Sequence, residues 1–359
     1  MLETLGLQRC KCQELRGSRC RVAATLREVA ERAGVSVRTV SNVVNDFPQV
    51  APETRARVQQ ALDDLGYQPN AVARTLRNGR SGLIALVLPE LDVPYFAELT
   101  RAVTEEAAAA GYTVVVDQTD GDPVRERELV MRGNRAAMFD GLIFNPLALG
   151  GADLRNRPSS TPVVLLGERV VEGGLDHIMI DNVGAAELAT RHLIELGRER
   201  IAAIGDQFDE TRQTGQLRTQ GYRAALHAAG REVVPELMRP TEYFHRADGA
   251  AAMADLLALP QPPDAVFCYN DLLALGALRT ILSRGLRVPD DIALVGFDDI
   301  EDGRYSTPSL TTISPDKTQI AKDAVRLLLN RLDGDRSAPA ELPADYTLQI
   351  RESTGGRPE

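Results

Sequence analysis

Leu26-Arg27-Glu28-Val29-Ala30-Glu31-Arg32-Ala33-Gly34-Val35-Ser36-Val37-Arg38-Thr39-Val40-Ser41-Asn42-Val43-Val44-Asn45 is the stretch that decides how the N-terminal part folds. Thr25, just ahead of it, stands with Glu28 at the Thr-x-x-Glu spacing of a capping box, in which hydroxyl and carboxylate satisfy the free end amides reciprocally. A helix therefore starts at Leu26, and Leu26, Val29, Ala30 and Ala33 recur along it at helical spacing. Gly34 supplies the backbone freedom for a tight turn. Ser36 is then an N-cap for a second helix, Val37 to Val44, with Val40, Val43 and Val44 facing inward and Arg38, Thr39, Ser41 and Asn42 facing out. Two short helices about a glycine turn make a helix-turn-helix.

Working outward, a third helix begins at Pro52, a residue favoured at the first helical position, and runs through Val58, Leu62 and Leu65 to Gly66. Tyr67-Gln68-Pro69-Asn70 breaks the pattern, and the stretch Ala71 to Arg77 is too short to persist as a helix alone in water. Beyond Ser81 the rhythm changes. Short apolar runs of strand length, at Leu83–Leu88, Thr113–Val116, Gly141–Phe144, Val163–Leu166, Ile201–Ile204, Ala265–Cys268 and Ile292–Val295, alternate with amphipathic stretches. Tyr95–Ala110, Val183–Leu196, Arg218–Ala229, Leu272–Arg284 and Asp316–Leu332 have the helical period. Such alternation implies parallel sheets joined by right-handed crossovers, and the length suits two of them with a cleft between.

With 359 residues, 43% hydrophobic and 26% charged, the chain has the composition of an ordinary globular protein, and no apolar run reaches a membrane span. The net charge of −10 is unevenly placed. Residues 1–81 hold 13 Lys/Arg against 8 Asp/Glu, whereas the remainder is strongly acidic. A basic end on an acidic body suits a protein that meets phosphate at one end only. The first 23 residues contain no continuous apolar stretch, so no secretory signal is expected and a cytoplasmic location follows. Cys10, Cys12, Cys20 and Cys268 make no disulfide framework, and His177, His192, His227 and His245 lack metal spacing, so neither a metal nor a cofactor is expected and the histidines read as structural or surface residues.

Residues 26–45 closely resemble the DNA-binding signature of LacI/GalR-type regulators. The likeness continues in Leu65-Gly66-Tyr67-Gln68-Pro69-Asn70-Ala71-Val72-Ala73-Arg74-Thr75-Leu76, similar to that family's hinge, and in Val93-Pro94-Tyr95-Phe96-Ala97-Glu98, Tyr269-Asn270-Asp271 and Val295-Gly296-Phe297-Asp298-Asp299, similar to its sensor core. The resemblance implies a small all-α helix-turn-helix domain, residues 24–68, a hinge and linker, 69–81, and a two-lobed periplasmic-binding-protein-like α/β core of parallel sheets, 82–353. Residues 1–23 are then a disordered or non-native leader and 354–359 a tail, with the polar stretch Arg351 to Glu359 read as frayed.

In that family the second helix enters the major groove, where every base pair shows a distinct donor and acceptor pattern. The positions matching the base readers are Val37, Arg38 and Asn42; Arg38 can fork onto guanine, Asn42 can pair with adenine or a phosphate, and Val37 offers apolar contact, for example to a thymine methyl. Many relatives carry Arg where this chain has Asn42, so the operator should differ from the commonest one. Ser36, Thr39, Ser41, Asn45, Thr54 and Tyr67 fall at phosphate-contacting positions. Ala51 stands where relatives have Ser, losing an N-cap. Asn70, Ala73 and Leu76 match the minor-groove face of the hinge, where Leu76 would wedge into a base step and bend the duplex, which requires two hinges and hence a homodimer on a near-palindromic site.

The core positions matching the family's effector pocket are Tyr95, Phe96, Glu168, Asp181, Thr214, Arg218, Asn270 and Asp298. Carboxylates accept hydroxyl hydrogens, guanidinium and amide groups bind oxygens, and aromatic faces cover apolar ring surface, a set suited to a sugar or nucleoside effector. Taken singly, Asp181 reads equally as a helix cap and Asp298-Asp299 as a loop pair. A transport or chemosensory solute-binding protein would share this core but has no use for a helix-turn-helix. An enzyme would need chemistry that the chain does not offer: it has no G-x-S-x-G elbow, P-loop, G-x-G-x-x-G or H-E-x-x-H. The expectation is a transcription regulator, a repressor by the commoner family mode, switched allosterically by a small ligand.

Overall fold

A computed structural model describes residues 24–45, 47–67, 80–131, 138–157, 160–168, 174–207 and 213–356. The chain divides into two compact units, Met1–Ser81 and Gly82–Glu359.

In the first unit the described residues form α1 (Leu26–Ala33), α2 (Val37–Val44) and α3 (Pro52–Leu65). The capping box closes as its spacing predicts: Thr25 N donates to Glu28 Oε2 at 2.7 Å and Glu28 N donates to Thr25 Oγ1 at 3.3 Å. Gly34 ends α1 with φ of +63°, a left-handed conformation that costs any residue with a Cβ about 1 kcal/mol or more. Ser36 Oγ caps α2 by accepting from Thr39 N at 3.1 Å, whereas Ala51 gives α3 no side-chain cap and Pro52 opens its first turn. Val29, Ala30, Ala33, Val40, Val43 and Val58 close the core with Ala61 and Leu62, while Val44 is half-buried at its edge.

The second unit runs, in chain order, β1 (Leu83–Leu88), α4 (Pro94–Ala109), β2 (Thr113–Gln118), α5 (Pro123–Met131), β3 (Gly141–Phe144), α6 (Gly151–Arg155), β4 (Val163–Leu166) and β5 (Asp176–Ile180). It continues as α7 (Asn182–Glu195), β6 (Ile201–Asp206), α8 (Gln213–Ala228), β7 (Met238–Pro240), α9 (Arg246–Leu257), β8 (Ala265–Cys268), α10 (Asp271–Ser283) and β9 (Ala293–Phe297). Last come α11 (Glu301–Arg304), β10 (Thr311–Pro315), α12 (Lys317–Leu332), β11 (Glu341–Ala344) and β12 (Tyr346–Gln349). Two six-stranded sheets result, in the orders β11-β5-β4-β3-β1-β2 and β12-β10-β9-β8-β6-β7. Every pairing is parallel except β10 with β12. Interior strands such as β3, β4 and β8 are buried along their whole length, as parallel strands covered on both faces must be.

The chain passes between the sheets after β5, after β10 and after β11, so α12 packs on the first sheet against α4 although it follows a strand of the second. Three crossings at Asp181, Asp316 and Asp345 make two lobes, and Asp316 N donates to Asp345 O at 2.9 Å where two of them run side by side. The carboxyl ends of β1–β4 and of β6, β8 and β9 face the cleft, where ligands bind in open α/β sheets. One expectation fails here: residues 351–354, read as the start of a frayed stretch, are packed. Arg351, Ser353 and Thr354 are buried, Ser353 Oγ donates to Leu294 O at 2.6 Å, and the Arg351 guanidinium lies 2.9 Å from Asp299, so these polar side chains fill valences of the second sheet. Among the described residues no helix is long and apolar enough to cross a membrane.

Candidate functional site

On the first unit the outward face of α2 carries Val37, a large apolar side chain left 44% exposed, beside the exposed Arg38. Among the described residues Arg38 has no ion-pair partner, so its five donors remain available. Asn42 is half-buried one turn further on. Ser36 and Thr39 share a hydroxyl hydrogen bond of 2.8 Å at the start of the helix, and the Asn45 amide reaches back to the Ser41 carbonyl. Thr54 and Tyr67 are half-buried. Asn70, Ala73 and Leu76 of the hinge, and Cys10, Cys12 and Cys20, lie outside the described residues.

On the second unit the cleft encloses a cavity of about 460 Å³ that is lined by Tyr95, Phe96, Glu168, Thr214, Arg218, Asn270 and Asp298, seven of the eight effector positions. Arg218, on α8, is 4% exposed. Its Nε donates to Asn182 Oδ1 at 2.7 Å, one Nη donates to the Tyr269 carbonyl, and its guanidinium carbon sits 3.4 Å from the centre of the Phe297 ring. Burial lowers its pKa, while Asp298 and Glu168 oppose that shift. Its second Nη has no acceptor among the described residues.

Asp298 follows β9 with φ of +116°, and Ile313 O and Lys317 Nζ hold its backbone at 2.8 and 2.7 Å. Non-glycine backbone there costs roughly 1–3 kcal/mol and persists only when its surroundings fix it. Asp298 is 8% exposed, and its carboxyl accepts no hydrogen bond from the described residues. Burial pushes its pKa up to about 7, against the pull of Arg218 and Lys317. Its neighbour Asp299 is spoken for, with Arg304 at 3.0 Å, Arg351 at 2.9 Å and the Ser314 hydroxyl at 2.8 Å on its carboxylate. Burial would raise the Asp299 pKa, and those hydrogen bonds and cations outweigh it and leave it lowered. The loop pair thus separates into one carboxyl aimed at the cavity and one that ties the second sheet together.

Tyr95 and Phe96 stand edge to face at 5.3 Å on the first turn of α4, where Lys317 pairs with Glu98 at 2.6 Å. Glu168 accepts from the Thr214 hydroxyl at 2.8 Å across the cleft. Asn270 caps α10 by accepting from Leu273 N at 2.8 Å and donates to Phe244 O at 3.0 Å, which leaves one amide hydrogen for the cavity. Asp181 does not belong with the others. It is exposed, it accepts from Gly184 N at 2.9 Å as the cap of α7, and it is not on the cavity wall.

The sequence reading missed its neighbour Asn182, which anchors Arg218, and missed Phe297 as the platform beneath it. It also misjudged His245, which lines the cavity and not merely the surface. His245 Nε2 lies 2.7 Å from Glu90 Oε2 on the opposite lobe, and its ring stacks on Tyr243 at 5.5 Å. Among the described residues no cluster of three metal-ligating side chains occurs.

Comparison with known proteins agrees with both units. Residues 25–70 match bacterial regulatory proteins of the lacI family, and residues 190–354 match the periplasmic binding protein-like domain. The chain is 35% identical to the HTH-type transcriptional repressor PurR of Mannheimia succiniciproducens over 92% of its own length and 98% of that protein's. It is 34% identical to the HTH-type transcriptional repressor CytR of Escherichia coli, covering 94% of this chain and 98% of that one. Among solved structures it is similar to the Lac repressor dimer bound to operator and the anti-inducer ONPF, at 29% identity and a TM-score of 0.81, covering 92% of this chain and 99% of that one. The chain belongs to the LacI family of bacterial transcription regulators.

Proposed function

We propose that this protein is a cytoplasmic, non-enzymatic repressor that grips a near-palindromic operator as a homodimer and is switched by a small metabolite, a sugar or nucleoside, in the cleft of its core. Val37, Arg38 and Asn42 read bases; Ser36, Thr39, Ser41, Asn45, Thr54 and Tyr67 set the register on phosphates; Asn70, Ala73 and Leu76 engage the minor groove. Tyr95, Phe96, Glu168, Thr214, Arg218, Asn270 and Asp298 hold the ligand.

One observation carries the sensor half of this reading. Arg218 and Asp298 are buried at the cavity wall with hydrogen-bonding capacity that no described protein group uses. Buried charges left so incomplete are costly, and a ligand that completes them recovers that cost. Repressor names among the relatives support the output, and a Lac repressor structure holding operator and ligand together supports the coupling. A gel shift on an operator selected from random duplexes, with and without a metabolite panel, tests it: binding that no panel member alters would refute ligand control, and no selected site at all would refute sequence-specific DNA binding.

A further inference from the structure

We infer that Lys317, acting with Glu98, is a positioning residue for Asp298: its ammonium holds the positive-φ backbone from which that carboxyl enters the cavity, and so clasps the second lobe to the first. The inference rests on the reading of Asp298 as a ligand-holding group for its consequence, and it adds two residues that stand behind the cavity wall rather than on it.

The backbone sets the problem. Asp298 and Asp299 have φ of +116° and +51°, two successive non-glycine residues in a region that persists only where the surroundings fix it. In an extended strand successive carbonyls point to opposite sides. Here both turn onto one group: Lys317 Nζ donates to Asp298 O at 2.7 Å and to Asp299 O at 3.0 Å. Its third hydrogen goes to Glu98 Oε2 at 2.6 Å, so all three donors of the ammonium are spent. Glu98 Oε1 in turn accepts from Glu301 N at 3.2 Å, which closes a ring of contacts through the chain from 298 to 301.

Both lobes contribute to that ring. Within the second lobe, Asp298 N donates to Ile313 O at 2.8 Å, Asp299 N to Thr312 Oγ1 at 3.4 Å and Ile300 N to Asp271 Oδ2 at 2.9 Å. The Glu301 amide and the two carbonyls are held from the other side, since Glu98 is on α4 and Lys317 opens α12, two helices packed together on the first sheet. Lys317 does nothing for its own helix there, because a cation in the first turn faces the positive end of the helix dipole. Its side chain is 12% exposed, and an ammonium is buried that far only where oxygens replace its water.

The Asp298 carboxyl has no hydrogen bond of its own among the described residues, so its direction comes from the backbone that Lys317 holds. Arg218 from α8, Glu168 from the loop after β4, Tyr95 and Glu98 from α4, Asp271 from α10 and Lys317 from α12 face it, and burial outweighs the two cations to hold it up at about 7. The clasp therefore has a signature with a sign. Removing a lysine that served only as a nearby charge would leave the carboxyl higher still. Removing one that keeps the carboxyl in place does the opposite: the segment relaxes towards water, and the carboxyl falls towards its ordinary 3.8.

Carbon NMR titration of the full chain labelled at its aspartate carboxyls, with hydrogen exchange on the same samples, tests this; the Asp298 resonance is the one lost in Asp298→Asn. Lys317→Met keeps the stem and should bring the Asp298 midpoint down by about one pH unit or more, while amide exchange across 298–301 quickens about tenfold or more and exchange in β8 and α10 stays as it is. A midpoint that rises or stays put overturns the inference, as does exchange at 298–301 that is unchanged or that quickens equally throughout the core. Glu98→Ala leaves the lysine and its charge in place and covers the case of a Lys317→Met chain that does not fold. It should release the Glu301 amide by the same factor, and a Glu301 amide as protected as in the wild type overturns the clasp. Neither ligand nor operator enters these measurements, so the regulator reading stands or falls separately.

Discussion

The two units solve opposite problems with their charged residues. In the first, Arg38 stands on the surface of a helix fixed by neighbours a few positions away: Thr25 with Glu28, Gly34, and Ser36 with Thr39. Its proposed partner, a base edge, lies outside the protein. In the second, Arg218 is buried between Asn182 at the start of α7, Tyr269 after β8 and Phe297 and Asp298 at the end of β9, so that two of its five donors are used inside and, in the proposed reading, the others serve a ligand. An exposed reader costs little when removed from the free protein, and a buried one supports the fold as well as the site.

Mutations should separate the units accordingly. The largest effect belongs to Arg218→Ala, which strands the Asn182 amide, the Tyr269 carbonyl and a buried carboxyl: we expect roughly 3–5 kcal/mol lost from the core by chemical denaturation, together with loss of ligand response. A core midpoint that does not move would break the comparison. Arg38→Ala should cost roughly 1–3 kcal/mol in operator affinity and relax preference at one base pair, with core stability and ligand binding unchanged; unaltered selectivity in a gel-shift series would remove Arg38 from the readers.

Acidity offers a third probe. Because burial holds the Asp298 carboxyl up to about 7, above its ordinary 3.8, the folded core keeps a proton that the unfolded chain has released between those values. Ligand-free stability should therefore fall as pH rises from about 4 to 7. A ligand that donates hydroxyl hydrogens selects the ionised carboxylate, so its affinity should rise about tenfold from pH 6 to pH 8, as the ionised fraction does. Asp298→Asn should flatten both trends, and a wild-type profile that is already flat would sink the assignment. The smallest effect expected is for Thr25→Ala, about 1 kcal/mol from loss of the capping box, confined to the first unit.

What was legible in the sequence follows the same division. Caps, turn and inward stripe of the helix-turn-helix are local, and α1, α2 and α3 fall where spacing puts them. Strands that are continuous apolar runs, such as β1, β3, β4 and β8, were legible for the same reason. Asp176–Ile180, Thr311–Pro315 and Glu341–Ala344 were not: each mixes polar residues into a strand whose place is set by crossings between lobes. At the site, the choice between adjacent residues was hidden. Asp181 against Asn182, and Asp298 against Asp299, differ by one position, and only packing decides that Asn182 anchors Arg218 and that Asp298 lines the cavity. His245 was hidden as well, because its partner Glu90 lies 155 residues away.

The central claim is that cleft and helix are coupled, and the most direct test is a linkage measurement on one preparation: operator affinity with saturating ligand and without it, then ligand affinity with operator and without it. The account predicts that both affinities change by the same factor, about 5- to 150-fold, as reciprocity requires for a coupling of roughly 1–3 kcal/mol. A ligand that fills the cleft tightly while operator affinity stays the same would contradict it.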